Sequence, residues 1–94
     1  MASIDRLDAD VRDDMIQRLK RIEGQARGIQ KMIDEGRDCR DVMTQISAMR
    51  SASHSLSTEL LEEFALHCLR NPDEYPSPEK AVAQMVSMVS RLTR

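Results

Sequence analysis

Cys39 and Cys68 are the residues in this 94-residue chain whose type and spacing invite chemistry. A thiolate is both a nucleophile and a soft metal ligand. The two lie 29 positions apart, with no Gly or Pro between them. On a helix that spacing falls about 20° past eight full turns, so both thiols share one face. If the helix is continuous, the sulfurs are about 40 Å apart, whereas a disulfide needs Cα atoms within about 7 Å. They cannot meet within one chain. An antiparallel pair of such helices brings Cys39 of one subunit beside Cys68 of the other, and a two-fold axis makes two identical sites. The plainer alternative is packing. Both cysteines lie on an apolar stripe, and Cys packs as a small hydrophobe.

Three helices are expected to position these thiols. The first spans about 8–35, with Met15, Leu19, Ile22, Ala26, Ile29 and Ile33 alternating by four and three residues. Gly24 and Gly28 interrupt it, each at a cost of about 1 kcal/mol against Ala, which suggests a close backbone approach. Gly36 is the expected stop. The second helix starts at the Asp38 cap, with Asp41 at the third position, and runs through Val42, Ile46, Met49, Leu56, Leu60 and Phe64 to Asn71-Pro72. Cys39 then occupies its first turn, where unpaired N–H groups and the dipole favour a thiolate. Arg37 and Arg40 add to that effect, and Asp38 and Asp41 oppose it. Cys39 is therefore the expected nucleophile and Cys68 the resolving thiol. The third helix opens with a Ser77 cap and Pro78, and Val82, Met85, Val86, Val89 and Leu92 form its expected apolar face. The organisation expected is a disordered arm over 1–10 and a single helical domain over 11–94.

Composition narrows the function. The only aromatics are Phe64 and Tyr75, so seven Met and the aliphatic residues must fill the core. A chain this short buries little alone, which points to a partner subunit. The formal net charge is −2, yet the charge is unevenly spread. Residues 17–51 hold eight Lys or Arg against five acids, while residues 1–16 hold five Asp and two Arg. Local patches set the field that a nucleic acid meets. Two cysteines are too few for a disulfide framework, and no apolar run is long enough to span a membrane. A cytoplasmic protein is expected, in which paired thiols sense or bind something. Nothing suggests an enzyme: there is no nucleophile–base–orienter set and no phosphate loop.

The runs Arg18-Leu19-Lys20-Arg21-Ile22-Glu23-Gly24-Gln25, Gly36-Arg37-Asp38-Cys39-Arg40-Asp41-Val42 and Gln45-Ile46-Ser47-Ala48-Met49-Arg50 resemble the CsoR/RcnR/FrmR family of bacterial repressors. The resemblance covers roughly residues 12–93. It implies an all-α fold of three helices per chain, an antiparallel dimeric four-helix bundle, a dimer of dimers (a homotetramer), and operator DNA binding without a helix-turn-helix. Arg18, Arg21 and Arg50 match positions associated with DNA contact in that family, with Lys20 in support. The bland reading of these basic residues is a solvated helix face.

Branches of the family differ at their sensing positions. Copper sensors carry Cys, then His 25 residues later, then Cys four residues after that. Here those positions read Cys39, Phe64 and Cys68. His67 is near in sequence but about 80° around the helix from the Cys39 line. The His positions of nickel and cobalt sensors are unfilled, since the chain has only His54 and His67. Position 2 is Ala where formaldehyde sensors have Pro. A thiol pair without the His looks like the persulfide-sensing CstR branch, with no cofactor. The effector this implies is a persulfide or polysulfide that bridges Cys39 to Cys68 of the partner. The alternatives are a Cu(I) sensor using Cys39, Cys68 and His67, and a helical interaction module with no DNA role. Tyr75, in the Pro-rich loop, either packs there or reaches the thiol site.

Overall fold

The computed structural model describes residues 3–75 and 77–92. Those residues form three α-helices and two short 3-10 turns, with no strand among them. The helices are α1 (Ala9–Asp34), α2 (Cys39–Arg70) and α3 (Pro78–Leu92). The 3-10 turns are Ile4–Arg6 and Pro72–Glu74.

Residues 13–56 form one compact unit, a helical hairpin of most of α1 and the first part of α2. Its turn is built from backbone rules. Gly36 adopts φ +69°, a left-handed conformation that favours glycine. The Arg37 N–H donates to the Met32 carbonyl at 3.0 Å and the Gly36 N–H to the Ile33 carbonyl at 3.1 Å. That pair is a Schellman motif, which satisfies the carbonyls that the helix end leaves free. Asp38 then starts α2 by accepting the Arg40 N–H on Oδ1 at 2.7 Å. Met15 and Ile29 are buried here, whereas Leu19 and Ile33 of the same stripe are 50% and 60% exposed. Gly24 and Gly28 do not meet another backbone within the chain, because a Cβ at either would touch nothing within 4 Å.

Residues 1–12 and 57–94 form the other unit. Phe64, Cys68 and Ala81 make its buried centre, with Tyr75, Met85 and Met88 packed against them. The Ser77 hydroxyl caps α3, accepting the Lys80 N–H at 3.1 Å. The face of α3 that turns inward matches the expected one only in part, at Met85 and Leu92. Ala81 is buried and Met85 and Met88 are half-buried, while Val82, Val86 and Val89 are exposed. Both stripes are apolar, and periodicity alone does not say which one its own chain covers.

The arm expected to be disordered over 1–10 is described from Ser3 onward, and there it is ordered. It turns at Ile4–Arg6, buries Leu7 and ties Arg6 to Glu74 at 3.4 Å. Apolar burial of Leu7 supplies a reason for order that composition did not reveal.

Candidate functional site

Helix α2 carries both cysteines, each as a free thiol. Cys39 is its first residue and is exposed; Cys68 lies two residues before its last and is buried. The 29-residue rise along this helix is about 43 Å at 1.5 Å per residue.

Cys68 sits among aromatic rings. The Tyr75 ring packs edge-on against Phe64 at 6.1 Å and against the His67 ring at 6.0 Å. Beside Cys68 opens a cleft of about 440 Å³, lined mainly by Leu69, Pro72, Tyr75, Ala81, Val82 and Met85. The Tyr75 hydroxyl is shut off from solvent and makes no hydrogen bond of ordinary geometry. It is nevertheless close enough to feel the thiol. Burial first, then interaction with Cys68, then the charge of Glu74, push the phenol up from the usual 10 to about 12, with Arg6 opposing.

His67 is fully engaged. Its Nε2 lies 2.8 Å from Glu74 Oε2, and Asn71 Nδ2 lies 3.2 Å from its Nδ1. The same Asn71 nitrogen donates to the His67 carbonyl at 3.1 Å, which fixes the orientation of the amide. The network therefore assigns the ring proton to Nε2, donating to Glu74, with Nδ1 accepting from Asn71. Arg6 completes the set on Glu74. Neither ring nitrogen has a lone pair free for a metal, so the His67 of the Cu(I) alternative is occupied with holding the end of α2. Asn71, Glu74 and Arg6 were not anticipated as part of this site. The Asn71-Pro72 stop hinted at the turn, but the Arg6 contact spans 68 residues and has no local signal.

The basic candidates all lie in the hairpin unit. Arg18 pairs with Asp14 at 3.1 Å. Lys20, Arg21 and Arg50 are exposed, and among the described residues none of the three has an acid within ion-pairing distance. Arg27 and Lys31 are engaged with Glu23 and Glu35 at 3.9 and 3.8 Å, exposed pairs that contribute little stability. His54 is exposed.

The model of the family described as metal-sensitive transcriptional repressor matches residues 11–91. The chain belongs to this family. It is 37% identical over 83 residues to the copper-sensing transcriptional repressor CsoR of Bacillus subtilis (strain 168), covering 88% of this chain and 82% of that one. It is 40% identical over 85 residues to the copper-sensing transcriptional repressor RicR of Mycobacterium tuberculosis, covering 88% of each. The crystal structure of the copper-sensing repressor CsoR with Cu(I) from Geobacillus thermodenitrificans NG80-2 is similar in fold. Its TM-score is 0.82 at 32% identity, over all of this chain and 95% of that one. The nickel-responsive transcriptional regulator InrS follows with a TM-score of 0.76 at 28% identity, over 85% of this chain and 90% of that one.

The protein is thus a transcriptional repressor of CsoR type, not an enzyme, and the family implies operator DNA and oligomeric assembly. No group of three or more His, Cys, Asp or Glu that could hold an ion occurs among the described residues. Phe64, 4% exposed and without a donor atom, fills the position 25 residues after Cys39. No helix among the described residues is long and apolar enough to cross a membrane.

Proposed function

We propose that this repressor reads its inducer through Cys39 of one subunit and Cys68 of an antiparallel partner, and that the inducer is a persulfide or polysulfide. The observation that carries the reading is the ligand set. The thiols keep their spacing, while the position between them is a buried Phe64 and the nearby His67 spends both nitrogens on Asn71 and Glu74. Two sulfurs without a third donor suit sulfur transfer better than a trigonal Cu(I) site.

The exposed Cys39 acts first. Its thiolate attacks the sulfane sulfur of R–S–SH, the S–S bond breaks, and R–S⁻ leaves with the electron pair and takes up a proton. Cys39 is then a persulfide. The Cys68 thiolate of the partner attacks the Cys39 Sγ, HS⁻ leaves, and a Cys39–Cys68 disulfide joins the subunits. If both cysteines are first persulfidated, the same displacement leaves a trisulfide and again releases HS⁻. Bridging two subunits biases the assembly toward a form whose basic surfaces no longer match the operator. Arg18, Lys20, Arg21 and Arg50 are the DNA-contacting residues in this reading. Repeating them around a homotetramer turns a modest cluster into a broad basic surface. Free thiols ready to react require a reducing compartment, so the cytoplasm is the expected location.

The relatives favour a second reading, in which the inducer is Cu(I). Two thiolates across a dimer interface suffice to bind it in linear geometry. The two readings separate in one experiment: mass spectrometry after polysulfide or Cu(I) treatment, paired with operator binding. Polysulfide is expected to link Cys39 to Cys68 across subunits and release DNA. Tight Cu(I) binding that releases DNA, with no response to polysulfide, would establish copper instead. Absence of any sequence-specific DNA binding would leave only a helical interaction module.

A further inference from the structure

We propose that Tyr75 is a positioning residue for Cys68: its hydroxyl donates a hydrogen bond to the Cys68 sulfur when that sulfur is an anion. The inference deepens the sensing reading and takes its biological meaning from it.

Three observations converge on this pair. The phenol ring is fixed edge-on between Phe64 and His67, at interplanar angles of 81° and 77°. His67 is itself pinned at both ring nitrogens. The Tyr75 hydroxyl is closed off from solvent and makes no hydrogen bond of ordinary geometry among the described residues. A polar group buried in that way costs free energy, so it calls for an explanation in the working cycle of the protein. The third observation is what surrounds the sulfur. Cys68 is 7% exposed, and among the described residues the cleft beside it is lined by no Lys, Arg or His.

An anion formed at Cys68 therefore has few groups to answer it. The Ser77 hydroxyl already accepts the Lys80 N–H as the cap of α3. Glu74 would repel the charge, but it is tied to His67 and Arg6. Tyr75 is the donor in reach. Its raised pKa of about 12 keeps the proton on the phenol throughout the physiological range. A small rotation about the C–O bond aims the O–H at a sulfur that has become a strong acceptor. Charge-assisted bonds of this kind are stronger than neutral ones.

The test uses Cys39→Ala protein, in which Cys68 is the sole thiol. Its sulfur displaces iodide from iodoacetamide to give a thioether, and the rate is followed across pH by mass spectrometry. Tyr75→Phe keeps the ring and removes only the donor. Near neutral pH it is expected to slow the reaction by about three- to tenfold, more thiolate being lost than intrinsic nucleophilicity regained. At high pH, where the sulfur ionises regardless, the curves should meet and cross. Equal rates across the whole range would overturn the proposal. So would a faster reaction at every pH, which is what loosened packing alone produces.

A second readout needs no variant at position 75. Tyr75 is the single Tyr and there is no Trp, so the ultraviolet spectrum reports on this phenol alone. Ionising Cys68 in the Cys39→Ala protein should shift the tyrosine band, and alkylating Cys68 should abolish that shift. An unchanged band would be equally fatal. Alkylation requires no inducer, so failure here is separate from failure of the sulfur-sensing reading.

Discussion

Mixing two inactive variants should restore covalent linkage to about half the chains, a proportion set by the length of α2 and by random pairing in a two-fold dimer. The perturbation is Cys39→Ala in one preparation and Cys68→Ala in the other. Both cysteines lie on α2, which holds them about 43 Å apart, some six times the roughly 7 Å that a disulfide allows between Cα atoms. No rotamer change closes that gap, so an intrachain bridge is closed to the folded protein. In an antiparallel dimer each site needs Cys39 from one subunit and Cys68 from the other. Neither variant alone contains a complete site. After subunit exchange, half the dimers are mixed, and each mixed dimer holds one complete pair. Polysulfide treatment followed by non-reducing electrophoresis reads the result directly. Wild type should run as covalent dimer, each variant alone as monomer, and the mixture as roughly equal parts of the two. A treated wild type that runs as a cross-linked monomer would refute the reasoning. Equally damaging would be efficient dimer formation by Cys68→Ala alone, since that would pair Cys39 with Cys39.

Arg21→Ala and Arg50→Ala remove exposed cations that form no ion pair among the described residues, so they should weaken operator binding while leaving the melting temperature nearly unchanged. Each lost phosphate contact should flatten the salt dependence of log K by about 0.9, measurable by fluorescence anisotropy across a salt series. Phe64→Ala opens a cavity at the centre of the Phe64–Cys68–Ala81 cluster and should cost about 3–5 kcal/mol in urea denaturation at fixed subunit concentration. Tyr75 should titrate near 12 rather than 10 in an ultraviolet titration. The folded state favours its protonated form, so the stability this contributes is complete below pH 10 and is lost as the pH rises from 10 through about 12, which alkaline unfolding followed by circular dichroism will track.

The helices were readable from sequence because their ends are chemically marked. Gly36 supplies a positive φ, Asp38 and Ser77 cap, and Pro72 and Pro78 forbid continuation or favour a start, so the expected bounds fall within a residue or two of those observed. The place of both cysteines on α2 was readable for a similar reason, since the segment between them carries no breaker. What stayed hidden depends on neighbours distant in sequence. Arg6 finds Glu74 across 68 positions, and Leu7 is buried in a segment whose composition reads as a solvated arm. The expected face of α3 was Val82, Met85, Val86, Val89 and Leu92, of which Met85 packs on the core while the three valines are exposed. The Ala81–Met85–Met88 stripe won because Phe64, Cys68 and Tyr75 offer a surface that small and flexible side chains fill. His67 looked available to a metal until its two hydrogen bonds were seen, and nothing in residue spacing announces a partner for a ring nitrogen.

The exposed apolar residues tie assembly to sensing. Six apolar residues are buried among the described residues, and no large side chain among them falls below 2% exposure. Leu69 is 77% exposed and Val86 62%. A chain of this size cannot gain much stability from so small a core, and contiguous apolar surface in water marks an interaction face. For a family of oligomeric repressors, the missing burial belongs to subunit contacts, so folding and association draw on the same surfaces. Cys68 lies beside Leu69 and against the buried centre that α3 helps to form. On the proposed reading, a covalent bridge made at Cys68 acts on the packing of that buried centre, where a small displacement has energetic leverage. The same bridge made on an exposed loop would tether two chains without choosing between their arrangements. A ligand shifts an equilibrium only by its differential stabilisation of the two states. On the proposed sulfur-sensing reading, the burial of Cys68 is what couples a two-sulfur reaction to the DNA contacts proposed for Arg21 and Arg50.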